Sequence, residues 1–160
     1  MTIMNARFDE HSLTQLLIIA LFDFWIANED RTANNYNLLY RTDNRSLVSI
    51  DYGGILNSCT MNRPLSQLEV TDSILYSDLF DFLSQDTPAL KISLQLEKLF
   101  LSNVKKSKDC IFQTIDNIPQ EWDVDISLFK EKCSQLFSAN WICETWKNFQ
   151  KTVTSCTKEN

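Results

Sequence analysis

Residues 25–54, WIANEDRTANNYNLLYRTDNRSLVSIDYGG, decide how the rest of this chain reads. An apolar run ends at Trp25-Ile26 and gives way to a polar turn, Asn28-Glu29-Asp30-Arg31. Asn35 stands five residues past Asp30. Two short apolar runs follow, Tyr36–Tyr40 and Ser46–Ile50, and Arg41–Arg45 joins them with the turn residues Thr42-Asp43-Asn44. This pattern predicts a β-hairpin. Its second strand delivers Asp51 into Asp51-Tyr52-Gly53-Gly54, which holds the only 2 glycines of the chain. Glycines confined to one strand exit fix a backbone position there.

The residue types suit phosphoryl transfer. An Asp at the start of a loop can orient or deprotonate a hydroxyl. An Asn a few residues on offers a neutral oxygen to a magnesium ion, and a second Asp beyond the hairpin offers a charged one. Catalysis in this class is mainly positioning and charge neutralisation, so few side chains suffice. Asn and Asp at a helix end also turn and cap the backbone without further purpose. What favours chemistry is the constellation of loop, hairpin and Asp51-Tyr52-Gly53-Gly54 in one order.

The string D-R-x-x-x-N-x-N-L-L, a hairpin, then I-D-[FY]-G resembles the catalytic and metal-binding loops of the HipA-like kinases. It is more distantly similar to the phosphatidylinositol kinases, with D-R-H-x-x-N and I-D-F-G, and shares its skeleton with the protein kinases. The resemblance implies that Asp30 is the catalytic aspartate. It also implies that Asn35 and Asp51 hold the metal and, through it, ATP, with Asp51 the main ligand. It covers residues 13–57 well. Further on, Ile118-Pro119-Gln120-Glu121-Trp122 looks like the tail of HipA-like proteins.

There are two departures. Many relatives carry His two places after the Asp, where this chain has Thr32, and its sole histidine is His11. Kinases also need a small nucleotide-binding lobe, with a phosphate-covering loop and a strand lysine ahead of the Asp. The 29 residues before Asp30 contain neither glycine nor lysine. The expectation is a large lobe without its small lobe, which a partner polypeptide supplies or a second copy covers.

The remaining sequence bounds this picture. A length of 160 residues fits one domain with a real core, and 44% apolar with 22% charged residues fits a globular chain. The net charge of −6 argues against a nucleic-acid scaffold. Five cysteines, odd in number and without C-x-x-C, fit reduced thiols in a cytoplasmic protein better than a zinc site. The N-terminus lacks a basic region followed by an apolar stretch, so no signal peptide is expected.

His11–Ala27 reads as a helix capped by Asp9 or Ser12, apolar nearly all round and interrupted by Asp23. Such a helix is buried in a core or a membrane, and this one is too short for the ~20 residues of a span. Ile55, Leu56 and Cys59 are expected to return to the core. Past Pro64 helices are expected to the end. One starts at Thr71 or Asp72 with Ile74, Leu75, Leu79, Phe80 and Phe82. Another opens at Pro88 with Leu90, Leu94, Leu96, Leu99 and Phe100 as its apolar stripe. Lys105, Lys106 and Lys108 read as a solvated helix end or loop. Ile111, Phe112 and Ile115 resume a helix that Pro119 closes, and a further one starts near Asp123 or Asp125. Trp122, Trp141 and Trp146 are expected as core anchors, and Thr152–Asn160 as a frayed polar tail.

The fold expected is α+β and mainly α: a kinase-like large lobe with one small β-hairpin and a C-terminal helical cluster, in a single domain over 1–160. The function expected is ATP- and magnesium-dependent phosphoryl transfer to a protein or other hydroxyl substrate, with no nucleic acid and no membrane involved. The alternatives are a non-catalytic, pseudokinase-type binding or regulatory module, and a helical adaptor carrying the motif by coincidence. Retention of Asp30, Asn35 and Asp51 together weighs against decay.

Overall fold

The structure, a computed structural model, describes residues 9–59 and 63–158. Among these the fold is mainly helical with one two-stranded antiparallel sheet, as the sequence led one to expect. Helix α1 (Glu10–Ile26) is its axis. Asp9 caps it, its carboxylate accepting from the Ser12 N–H at 3.1 Å. Leu13, Leu16, Leu17, Ala20 and Phe24 are completely buried. Each large apolar side chain so buried stabilises the fold by about 1.5–3 kcal/mol. The helix is not enclosed on every side: Ile18 and Phe22 stay exposed and, with Leu99 and Phe100, line an apolar groove.

Strands β1 (Leu38–Arg41) and β2 (Ser46–Ser49) pair in the register Leu39↔Val48 and Tyr40↔Leu47. The first strand begins two residues later than expected. Asn37 takes a left-handed φ of 46°, and the carbonyls of Tyr36 and Asn37 both accept from the Arg31 side chain, the Asn37 carbonyl while also accepting the Ile50 N–H. The hairpin docks on α1, where the Gln15 side-chain oxygen accepts from the Leu47 N–H at 2.7 Å. Past the hairpin, α2 (Ile55–Cys59) is a single left-handed turn, with φ of 53°, 52° and 59° at Leu56, Asn57 and Ser58. Leu56 is buried as expected and Ile55 packs against the core.

The helix expected from Thr71 or Asp72 is instead two 3-10 turns (Val70–Asp72 and Ile74–Tyr76) followed by α3 (Asp78–Ser84). Ser73 and Ser77 each accept a backbone N–H two or three residues ahead, and each such cap restarts the chain. Helix α4 (Ala89–Gln95) opens after Pro88 as expected, and α5 (Glu97–Asp116) follows. The break at Leu96 rephases the apolar stripe. Ala89, Ile92, Leu96 and Phe100 are buried, whereas Leu90, Leu94 and Leu99 face outward. Helix α5 also runs unbroken through Lys105, Lys106 and Lys108, which are solvated in mid-helix.

Helix α6 (Ile126–Leu136) starts from Asp125, whose carboxylate accepts from the Leu128 N–H at 3.0 Å. Helix α7 (Ala139–Lys158) then overturns the frayed-tail expectation for residues 152–158. Phe149, Val153 and Cys156 recur at helical spacing and are buried with Thr152, because this face packs on α1 and α4. The tryptophans divide. Trp25 donates to the Leu136 carbonyl and Trp141 to the Trp25 carbonyl, each at 2.8 Å, which pins α1 between α6 and α7. Trp146 is half-buried against the core, but Trp122 is 66% exposed and lies outside the core among the described residues. No described helix is long and apolar enough to cross a membrane.

Candidate functional site

The end of α1 builds the site. Ala27 adopts a left-handed φ of 50° and its N–H bonds the Asp23 carbonyl, so the chain reverses there. The reversal carries Asn28 and Arg31 back onto the Asp23 side chain. One Asp23 oxygen accepts from Asn28 Nδ2 and the other from Arg31 Nε, each at 2.8 Å. Asp23 and Arg31 are only 3% and 1% exposed. Burial pushes the Asp23 carboxyl up from 3.8 to about 6, against the opposing pull of the Arg31 charge and of the hydrogen bonds from Asn28 and Arg31.

Asp30 is half-buried at the head of the loop. Its Oδ1 accepts from Asn35 Nδ2 at 2.9 Å and its Oδ2 from Asn37 Nδ2 at 2.8 Å. Asn35 Nδ2 also reaches the Asp30 carbonyl at 3.0 Å. Reciprocal backbone bonds between Thr32 and Asn35, at 3.0 and 3.3 Å, close the loop between them. Two of the three candidate residues are therefore in direct contact. With its nitrogen committed to Asp30, the exposed Asn35 keeps its Oδ1 clear of hydrogen bonds among the described residues.

Asp51 is exposed and hydrogen-bonds to neither Asp30 nor Asn35. It has a φ of 54°, and its Oδ1 accepts from the Gly53 N–H at 3.1 Å. An aspartate in the left-handed region is uncommon, and backbone of this kind gathers at functional sites. Neither glycine has a positive φ. Gly54 matters through close approach: a Cβ placed on it would lie 2.6 Å from Asp30 Cβ and 2.8 Å from Asp30 N. The Glu29 N–H bonds the Gly54 carbonyl at 3.0 Å, and the Ile50 N–H bonds the Asn37 carbonyl at 2.9 Å. The Asp51 loop is thus seated on the Asp30 loop through backbone. Glu29 ties the left-handed turn α2 to the same place, accepting from Asn57 Nδ2 at 2.9 Å and Ser58 Oγ at 2.8 Å.

Thr32 Oγ1 accepts the Asn34 N–H at 3.3 Å. His11 pairs with Gln15 on the first turns of α1. Asn37, Arg31, Asp23 and Glu29 received no role from the sequence. The available signal was an acid, Asp23, set in the apolar part of α1 eight residues before an arginine. An acid at such a position needs a cation.

A family model described as HipA-like kinase matches residues 3–152, and the chain belongs to that family. Neither a curated protein nor a solved structure matches the chain. Membership points to a kinase-type function, a class that uses ATP and a divalent metal. The donor set fits such a metal. Asn35 Oδ1 and the second oxygen of Asp51 are hard oxygen donors without other partners among the described residues. No group of three or more His, Cys, Asp or Glu that could hold a metal occurs among those residues.

Proposed function

We propose that this chain carries the acceptor-orienting and metal-holding half of a kinase site, acting with ATP and magnesium on a protein or other hydroxyl substrate. The observation that carries the reading is the direct bonding of Asp30 to Asn35, with the Asp51-Tyr52-Gly53-Gly54 backbone pressed onto the same aspartate. Each Asp30 oxygen has one amide donor and retains lone-pair capacity for an incoming hydroxyl. The acceptor oxygen attacks the γ-phosphorus, the bond to the β,γ-bridging oxygen breaks, ADP leaves, and the hydroxyl proton passes to Asp30. Asn35 and Asp51 are the residues that would hold magnesium, which when bound neutralises phosphate charge.

The 29 residues before Asp30 contain neither glycine nor lysine, and in this reading a separate polypeptide supplies the nucleotide-binding lobe or a second copy covers the same surface. Support lies in the hairpin, where Leu39, Val48 and Ile50 are exposed apolar side chains beside the site. Exposed strand edges and apolar patches of this kind are normally covered. The test is co-purification from the native host followed by a phosphoryl-transfer assay, with Asp30→Ala as control. Transfer by the wild-type complex and its loss in Asp30→Ala is the expected result. Metal binding without any transfer supports the non-catalytic, regulatory alternative. Transfer that persists in Asp30→Ala refutes the role given to Asp30.

A further inference from the structure

We infer that Arg31, anchored by Asp23, is the positioning residue that sets Asp30, Asn35 and Asp51 relative to one another; the inference rests on those three forming the site. Arg31 touches the neighbours of each. It follows Asp30 directly in sequence. Its Nη1 donates to the carbonyls of Tyr36 at 3.1 Å and of Asn37, the two residues after Asn35. The same nitrogen reaches the Ile50 carbonyl at 3.3 Å, and the guanidinium carbon lies 5.1 Å from the centre of the Tyr52 ring. Ile50 and Tyr52 flank Asp51, so one side chain grips both sides of the left-handed residue.

The chemistry requires arginine. A planar fork spans an acid on α1 and three carbonyls on two strand ends, which a single ammonium cannot do. Asp23 aims the fork by holding Nε. Nη2 is buried without a hydrogen-bond partner among the described residues, and the Tyr52 π face over the guanidinium offsets part of that loss. Phe22, in edge contact with Tyr52 at 5.9 Å, keeps the ring in place. Coupling therefore runs from the rigid helix α1 to the loop of Asp51 through contacts that bypass the reacting atoms.

The test is amide hydrogen exchange on the full chain, with Mn2+ titration as a second arm, in Arg31→Lys and in Tyr52→Leu. Arg31→Lys is expected to speed exchange at Asn35 and Ile50 by about tenfold or more, while Phe149 and Val153 in α7 hold their wild-type protection. Equal acceleration at all four positions marks plain destabilisation and overturns the inference, as does unchanged exchange at Asn35 and Ile50. If Arg31→Lys does not fold, Tyr52→Leu carries the same comparison, since it leaves the Asp23–Arg31 pair in place. Wild type is expected to bind Mn2+, Asp51→Asn to lose it, and Arg31→Lys to bind it about tenfold more weakly. Unweakened Mn2+ binding in Arg31→Lys overturns the inference. Failure of wild type to bind Mn2+ refutes only the metal reading, and the exchange pattern still decides the role of Arg31.

Discussion

Replacing Gly54 with alanine tests how the two loops are joined. The added methyl would stand 2.6 Å from Asp30 Cβ, 2.8 Å from Asp30 N and 3.1 Å from Asn28 Oδ1. Non-bonded carbons rest at about 3.5–4.0 Å, so the loops must separate by roughly 1 Å. The obstacle includes backbone, which cannot swing aside as a long side chain would. Overpacking costs about 1–3 kcal/mol, and this site belongs in the upper part of that range. Alanine offsets about 0.4–1 kcal/mol by restricting the unfolded chain. The net loss is about 2 kcal/mol, or a fall in Tm of roughly 4–8 °C for a chain of this size. Gly53→Ala is the internal control, because its nearest obstacle is Asp51 Oδ1 at 3.3 Å. That change should stay within about 0.5 kcal/mol of wild type. Thermal unfolding followed by circular dichroism at pH 7 measures both. A Gly54→Ala protein as stable as wild type, or a Gly53→Ala protein the more damaged of the two, would refute the close-approach argument.

Between about pH 4 and pH 6 native Asp23 holds its proton more tightly than the unfolded chain does, because burial moves its pKa from 3.8 to about 6. Its contribution is therefore fully present below about pH 4 and is lost as pH rises through 6, a change of about 3 kcal/mol; denaturant melts of Asp23→Asn against wild type should lack this fall. Phe149→Ala empties a fully buried site between α7 and α1 and should cost about 3–5 kcal/mol in urea unfolding, whereas Trp122→Ala, on an exposed side chain, should change stability by less than about 0.5 kcal/mol. Asp51→Gly relieves a left-handed aspartate and should hold or raise Tm, while losing any Tm increase that millimolar magnesium gives wild type. A fall in Tm for Asp51→Gly would place the stabilising contribution in its carboxylate instead.

The sequence by itself determined the local features. The apolar run through Leu13, Leu16, Leu17 and Phe24 predicted a core helix, with Asp9 or Ser12 as its cap, and the structure selects Asp9. Thr42-Asp43-Asn44 between two apolar runs placed the hairpin to within two residues. The string that carries Asp30, Asn35 and Asp51 resembles the loops of the HipA-like kinases, the family that the comparison bears out. These are properties of neighbouring residues, which local backbone and side-chain preferences express directly. Tertiary structure decided which faces are covered. Thr152, Val153 and Cys156 lie in a mostly polar stretch of sequence, and they are buried because α1 and α4 lie against their helix. Trp122 carries a large apolar ring and is nevertheless 66% exposed. Arg31 reads as a loop charge until the left-handed Ala27 folds it back onto Asp23. Its Nη1 then meets carbonyls up to nineteen residues away, and no local pattern encodes that meeting. The desolvation of a charge depends on everything that surrounds it, so burial and pairing here belong to the assembled fold.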